Sequence, residues 1–194
     1  MPVYTTVAQV KLYRGIPTAN TADDALLTAL IAGAVTAIDS YCGRSFAAPS
    51  TAATRYFDAV RDTSDDRRTL YLDDDLASVT SIVNAGTTVA TTHYVTEPRN
   101  ATPYYAIRLN YLADDLWTWQ TSPEDAISVT GRWGYATAAP ADIQHAAVRL
   151  AAYYYAQKDA STFDVTFYGG GEMTIPQGIP ADVRIILDHY RKIN

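Results

Sequence analysis

The sequence predicts an α+β protein: a helical body of about four helices drawn from both ends of the chain, with a small antiparallel β subdomain inserted between them. Three observations carry this. Apolar residues recur at three- and four-residue spacing near both termini, as on one face of a helix. Short runs rich in β-branched and aromatic residues, separated by turn signals, fill the middle. A parallel sheet would need helical crossovers, and none occurs inside that middle region. The implied boundaries are 1–50 with 136–194 for the helical body and 51–135 for the β insertion, with 160–178 as an arm or loop within the body.

A short first helix is expected at 6–13, ended by Gly15 and Pro17. The first long helix runs over 22–42. Thr21 can cap it, Asp23 and Asp24 suit the positive end of its dipole, and Gly43 can stop it in a left-handed conformation. Leu26, Leu27, Leu30, Ile31, Ala34, Val35, Ile38 and Tyr41 form its apolar face. Strands are expected at 54–57, 69–72, 79–83, 93–96, 106–111 and 126–135. Asn84-Ala85-Gly86, Glu97-Pro98-Arg99-Asn100 and Thr121-Ser122-Pro123 mark turns between them. Pro140-Ala141-Asp142 and Pro180-Ala181-Asp182 repeat one helix-start signal, proline at the first position and an acid in the first turn. The helices they open are expected to reach 159 and 192.

At 194 residues, 48% hydrophobic and 19% charged, the chain can bury a core without disulfides or metal. One cysteine, Cys42, excludes an internal disulfide and a cysteine zinc cluster, and its place on an apolar helix face suits a core residue. The N-terminus lacks the pattern of a signal peptide. The apolar stretch 25–38 is shorter than a membrane span. A soluble cytoplasmic protein without membrane contact is expected. Net charge is −6, and seven aspartates against three arginines put −4 of it in 58–75. No basic stripe is present to neutralise phosphates, so attraction to nucleic acid is disfavoured, whereas a repelling channel wall is not. Fifteen tyrosines are the other anomaly, and tyrosine is enriched in protein interfaces.

No enzyme emerges from the motifs. His93, expected in a strand, and His145 and His189, in helices, are not set beside a nucleophile motif. Asp62, Asp65, Asp66, Asp73, Asp74 and Asp75 invite a calcium reading, but the central glycine and closing glutamate of a calcium loop are missing, so a solvated charged loop is expected. No cofactor is expected. Residues 160–178 form an unusually long connection between helices. Phe163, Val165 and Phe167 alternate with polar partners, Tyr168 and the glycines Gly169, Gly170 and Gly171 follow, then Met173 and Ile175. Such a segment reads either as an arm that adds a strand to a neighbour's sheet or as a hairpin on its own β subdomain.

In order along the chain come Asp23-Asp24 with Leu27, Leu30 and Ile31, then Ile38-Asp39-Ser40-Tyr41-Cys42-Gly43-Arg44-Ser45-Phe46 and Arg55-Tyr56-Phe57-Asp58. Val129-Thr130-Gly131-Arg132-Trp133-Gly134-Tyr135, Pro140-Ala141-Asp142-Ile143, Ile179-Pro180-Ala181-Asp182-Val183 and Leu187-Asp188-His189-Tyr190-Arg191 complete the series. This order resembles the head–tail connector (head completion, neck adaptor) family of tailed bacteriophages and gene transfer agents. The resemblance implies a structural virion protein of the particle neck, assembled in the bacterial cytoplasm. It further implies a ring, a dodecamer in the particle, beneath the portal protein. That ring would extend the channel through which DNA passes unbound and dock a head–tail stopper or tail-completion protein. In such a family the glycine-linked region 160–178 is expected to grip the portal. The acidic loop 58–75 is expected to face the channel or a partner ring. Compact members are almost wholly helical, so the role of the β insertion is not carried over. The alternatives are a tail-completion or other virion interface protein, and a small cytoplasmic hydrolase or ligand-binding domain with its pocket in the β subdomain.

Overall fold

The computed structural model describes residues 3–111, 116–158 and 178–192. Helix α1, Val7–Arg14, starts at a reciprocal cap: Thr6 accepts from the Gln9 N–H, and the Gln9 side chain accepts from the Thr6 N–H. Helix α2, Asp24–Cys42, ends as expected on Gly43, whose φ of 66° favours glycine. Its start differs from the expectation. Asp23, not Thr21, is the capping residue, and it makes no capping hydrogen bond because its carboxylate is taken by Tyr155 and Lys158. Helices α3, Ala141–Gln157, and α4, Ala181–Asp188, both begin directly after their prolines. Both stop short of the expected ends.

These four helices form one unit, Val3–Gly43 with the described part of Pro140–Asn194. Helix α3 lies at its centre, packed against α1, α2 and α4, and buries Ile143, Ala147, Leu150 and Ala151. Leu27, Ala34, Val35 and Ile38 of α2 are buried, and Cys42 is a core residue whose thiol points at the Leu187 carbonyl. The helix spans nearly the expected 22–42, but the expectation that its apolar stretch is shorter than a membrane span is corrected: Thr28 and Thr36 lie within it, each bonding the carbonyl four residues back. At 19 residues and a mean hydropathy of 1.6, α2 is by length and composition long enough to cross a membrane, and one face of it is packed here as a core helix.

The second unit, Arg44–Ala139, is a six-stranded antiparallel sheet. Its strands are β1, Ala53–Phe57; β2, Thr69–Asn84; β3, Thr87–Thr88; β4, Tyr94–Glu97; β5, Tyr104–Leu109; and β6, Ile127–Trp133. The order is β1-β6-β2-β5-β4, with β3 paired to the end of β2. The two strands expected at 69–72 and 79–83 are one strand of 16 residues. Asp73, Asp74 and Asp75, which argue against a strand by propensity, are held in it by Arg55 and Arg44. The first part of β2 pairs with β5 and the rest with β6, with register shifts that bend it. Leu70, Leu76, Ile82, Ile107, Leu109, Ile127, Val129, Trp117 and Trp133 form the core of this unit. His93 precedes β4 instead of lying in a strand.

Candidate functional site

The tyrosines divide into two sets, and the division locates the candidate surface. In the helical unit, four tyrosine hydroxyls donate to aspartates: Tyr4 to Asp39 at 2.5 Å, Tyr41 to Asp188 at 2.5 Å, Tyr155 to Asp23 at 2.6 Å and Tyr190 to Asp142 at 2.7 Å. Each ties residues distant in sequence. These tyrosines are cross-links within one chain, so the interface reading of tyrosine content does not apply to them. Their partners respond electrostatically. The Lys158 ammonium, then the Tyr155 hydroxyl, hold the Asp23 carboxyl below its usual range, and Asp188 pushes the Tyr41 hydroxyl up.

Asp39 is the exception in sign: burial pushes its carboxyl from 3.8 to about 6, although the Tyr4 hydrogen bond pulls the other way. A carboxyl raised in the fold stabilises it below the unfolded value, and that contribution is lost as pH rises through about 6. Asp39→Asn keeps an acceptor for Tyr4 and removes the buried charge. It is expected to raise stability by about 1 kcal/mol at pH 7.5, after discounting for partial solvent screening, and to give no gain at pH 4. Thermal melts at the two pH values check this.

In the β unit the exposed tyrosines are used differently. Tyr56, Tyr71, Tyr105 and Tyr111 are 64%, 53%, 57% and 66% exposed. Two open clefts meet at Tyr71. One, of about 600 Å³, is lined by Ser64, Asp65, Asp66, Thr69, Tyr71 and Arg108. The other, of about 300 Å³, lies between Tyr56 and Tyr71 with Arg61, Asp62 and Asp73.

The residues put forward as an acidic loop lie on and beneath this surface, and they are not one solvated loop. Asp73 and Asp74 clamp the Arg55 guanidinium at 2.9 and 3.1 Å. Asp75 is 5% exposed and lies 3.5 Å from Arg44. Asp62 accepts the Asp58 N–H, and Asp66 accepts from the Ser64 hydroxyl and the Arg68 N–H. The Ser64 bond, then the Arg68 N–H, hold the Asp66 carboxyl low. The loop proper is therefore 58–68, and 69–75 is strand. Among the described residues, Asp65 has no hydrogen bond or ion pair. The sequence singles out Tyr56 only within the motif Arg55-Tyr56-Phe57-Asp58, and Tyr71, Arg61 and Arg108 not at all; the tyrosine count is the available signal, but it does not say which hydroxyls are already used.

The arm residues Phe163, Val165, Phe167, Tyr168, Gly169, Gly170, Gly171, Met173 and Ile175 lie outside the described residues. His145 is exposed on α3, edge-on to Tyr13, and His189 ends α4 with its ring against the Ile185 carbonyl. Among the described residues no group of three or more His, Cys, Asp or Glu side chains could hold a metal ion.

The family model for head completion protein matches residues 4–193. This chain belongs to the head completion protein family. Its fold is similar to that of a chain from the neck of an empty gene transfer agent particle, described with C6 symmetry, at a TM-score of 0.59 and 20% identity over 98% of this chain and 91% of that one. A chain from the virion of a native gene transfer agent particle matches at a TM-score of 0.53 and 23% identity, over 100% and 95% of the two chains. Both likenesses cover the β unit, so this head completion protein shares its mixed fold with them. No curated protein sequence matches the chain.

Proposed function

We propose that this chain is a structural virion protein, the head–tail adaptor of a phage or gene transfer agent particle, with no catalytic step. It forms a ring beneath the portal, extends the DNA channel and docks the next neck or tail component. The observation that carries this reading is the head completion family match over residues 4–193, with one fold running through both units. Sixfold symmetry in the related particle neck is compatible with a ring of twelve. The net charge of −6 suits a channel that phosphate traverses without sticking. The test is removal of the gene from the producing strain. DNA-filled heads without tails are expected by electron microscopy, and purified chain should restore tail joining. Complete particles in its absence overturn the reading.

The portal-gripping element in this proposal is the connection between α3 and α4, whose six large apolar residues join two helices of the body. Replacing 162–175 by a glycine–serine linker of equal length is expected to abolish attachment to portal-bearing heads, with a melting curve run in parallel to verify that the chain stays folded. Cosedimentation with such heads checks this, and undiminished attachment removes the arm from the proposal.

A further inference from the structure

We infer that the open face of α2 is a docking surface for the chain's own residues 162–175, whose large apolar side chains rest on it in the free protein. Three features of the helical unit point there.

The first is the face itself. No charged side chain occurs between Asp24 and Asp39. Leu27, Ala34, Val35 and Ile38 lie in the core, yet only 28% of the apolar stretch of α2 is buried. Ala25, Leu26, Thr28, Ala29, Gly33 and Thr36 are exposed. A helix side that faces water ordinarily carries charged and polar groups. Both threonine hydroxyls turn back onto carbonyls of α2, at 2.8 and 3.0 Å, so the face offers methyl groups in place of polar tips. Gly33 costs helix stability, and a Cβ there would meet nothing within 4 Å. No contact among the described residues requires this glycine, and it leaves the backbone bare for a bulky neighbour.

The second is where the connection leaves and returns. Helix α3 ends at the start of α2, because Asp23 accepts from Tyr155 and pairs with Lys158. Helix α4 runs back along α3, with Asp182 at 2.5 Å from Arg149 and Tyr190 bonded to Asp142. Tyr41 on Asp188 and the Lys192 N–H on the Cys42 carbonyl tie its far end to the last turn of α2. From Lys158 back to the level of Arg149 is about 14 Å along α3. The residues between Lys158 and Ala181 can span about 70 Å. The connection therefore has several times the length it needs, and it departs beside the bare turns of α2.

The third is the match of size and polarity. Phe163, Val165, Phe167, Tyr168, Met173 and Ile175 are large and apolar, whereas the face is mostly alanine, threonine and glycine. An uncharged helix side within reach removes such side chains from water. A second copy is the poorer occupant. It brings another net charge of −6 against the first, while the tethered connection is present at an effective concentration of about millimolar.

The inference goes beyond the adaptor reading and does not rest on it. Where both hold, these residues leave α2 before they meet the portal, and the free chain is held at rest. The test uses the full chain with isotope-labelled alanine methyl groups and phenylalanine rings. Nuclear Overhauser contacts are expected from the rings of Phe163 or Phe167 to the methyl groups of Ala25, Ala29 or Ala32. A soluble gadolinium chelate reads the same face. Those methyl groups are expected to lose their protection from it when a glycine–serine linker replaces 162–175. Ala29→Glu, which sets a charge on the exposed side, is expected to abolish the ring contacts. Melting curves confirm that both variants stay folded. Absence of ring contacts to α2 in the unaltered chain overturns the inference. So do ring contacts that survive Ala29→Glu, or equal chelate broadening with and without the linker. A chain that sediments as a dimer and loses methyl protection on dilution gives the face to a second copy, which also overturns it. A chain that joins tails to heads but lacks these contacts overturns this inference alone. A chain that shows them and is dispensable for tail joining overturns the adaptor reading alone.

Discussion

Trp133→Ala is expected to destabilise the β unit by about 4 kcal/mol, near the top of what truncating one buried aromatic costs. Trp133 is 7% exposed at the end of β6, opposite Leu76 of β2, with its ring 6.1 Å from that of Phe57. Its indole N–H donates to the Ala53 carbonyl at 2.9 Å, and the Arg55 guanidinium lies 4.4 Å from its ring centroid. The substitution therefore opens a cavity, orphans a carbonyl at the start of β1, and removes the platform that holds Arg55 toward Asp73 and Asp74. Loss of that platform couples the core to the acidic surface. Trp133→Phe keeps the ring and loses the indole bond, so a cost of about 1 kcal/mol is expected. The measurement is urea unfolding of the full chain, read through hydrogen exchange of the β6 amides so that the sheet is followed separately from the helices. Equal stability of Trp133→Ala and Trp133→Phe would contradict the packing argument.

Gly131→Ala is expected to cost about 3 kcal/mol although it adds only a methyl group. A Cβ at Gly131 would stand 2.3 Å from the Ser78 carbonyl oxygen and 2.7 Å from Leu76 Cδ1. The first of these is backbone and cannot rotate away. Gly131 faces Val79 across the ladder, between the two register shifts of β2, and it is this bend that brings the β2 backbone so close. The nearby Thr130→Ala provides the contrast. Its hydroxyl meets only that of Thr54 on the exposed side, at 2.8 Å, so a loss of no more than about 0.5 kcal/mol is expected there. The same exchange experiment reads both. A Gly131→Ala chain as stable as wild type would mean that β2 relaxes freely, and that the bend is not held by its neighbours.

These two residues also explain why the sequence was informative in the stretch Val129-Thr130-Gly131-Arg132-Trp133-Gly134-Tyr135. The glycine permits the close approach, and the tryptophan fills the space beside it. The helices were legible for a similar local reason. Proline starts, the Gly43 stop and the three-and-four spacing of apolar residues are properties of neighbours in sequence, and they placed α1 to α4 to within a few residues. The strand ends and the continuity of β2 were less legible. Three aspartates in a row oppose a strand locally, and only arginines far earlier in the chain, Arg55 on Asp73 and Asp74 and Arg44 beside Asp75, reverse that preference.

The candidate surface was legible only in outline. Composition marked 58–75 as acidic and the chain as tyrosine-rich. Which carboxylates are structural and which are open could not follow from composition, because Asp73 and Asp65 look alike until Arg55 is seen to take the first and leave the second. The tyrosines are the same case. Tyr41 and Tyr71 both lie within expected elements, a helix and a strand, yet one hydroxyl ends on Asp188 and the other residue lines a cleft.

From the order of residues alone follow the α+β class, the places of the helices, the acidic character and the membership that the motifs of 23–46 and 129–143 suggest. All of these depend on near neighbours or on sums over the chain, which a linear reading preserves. The three-dimensional arrangement alone decides the division of labour among like residues, aspartate from aspartate and tyrosine from tyrosine. Whether a charge or a hydroxyl is satisfied depends on a partner that the fold delivers from 18 to 147 positions away.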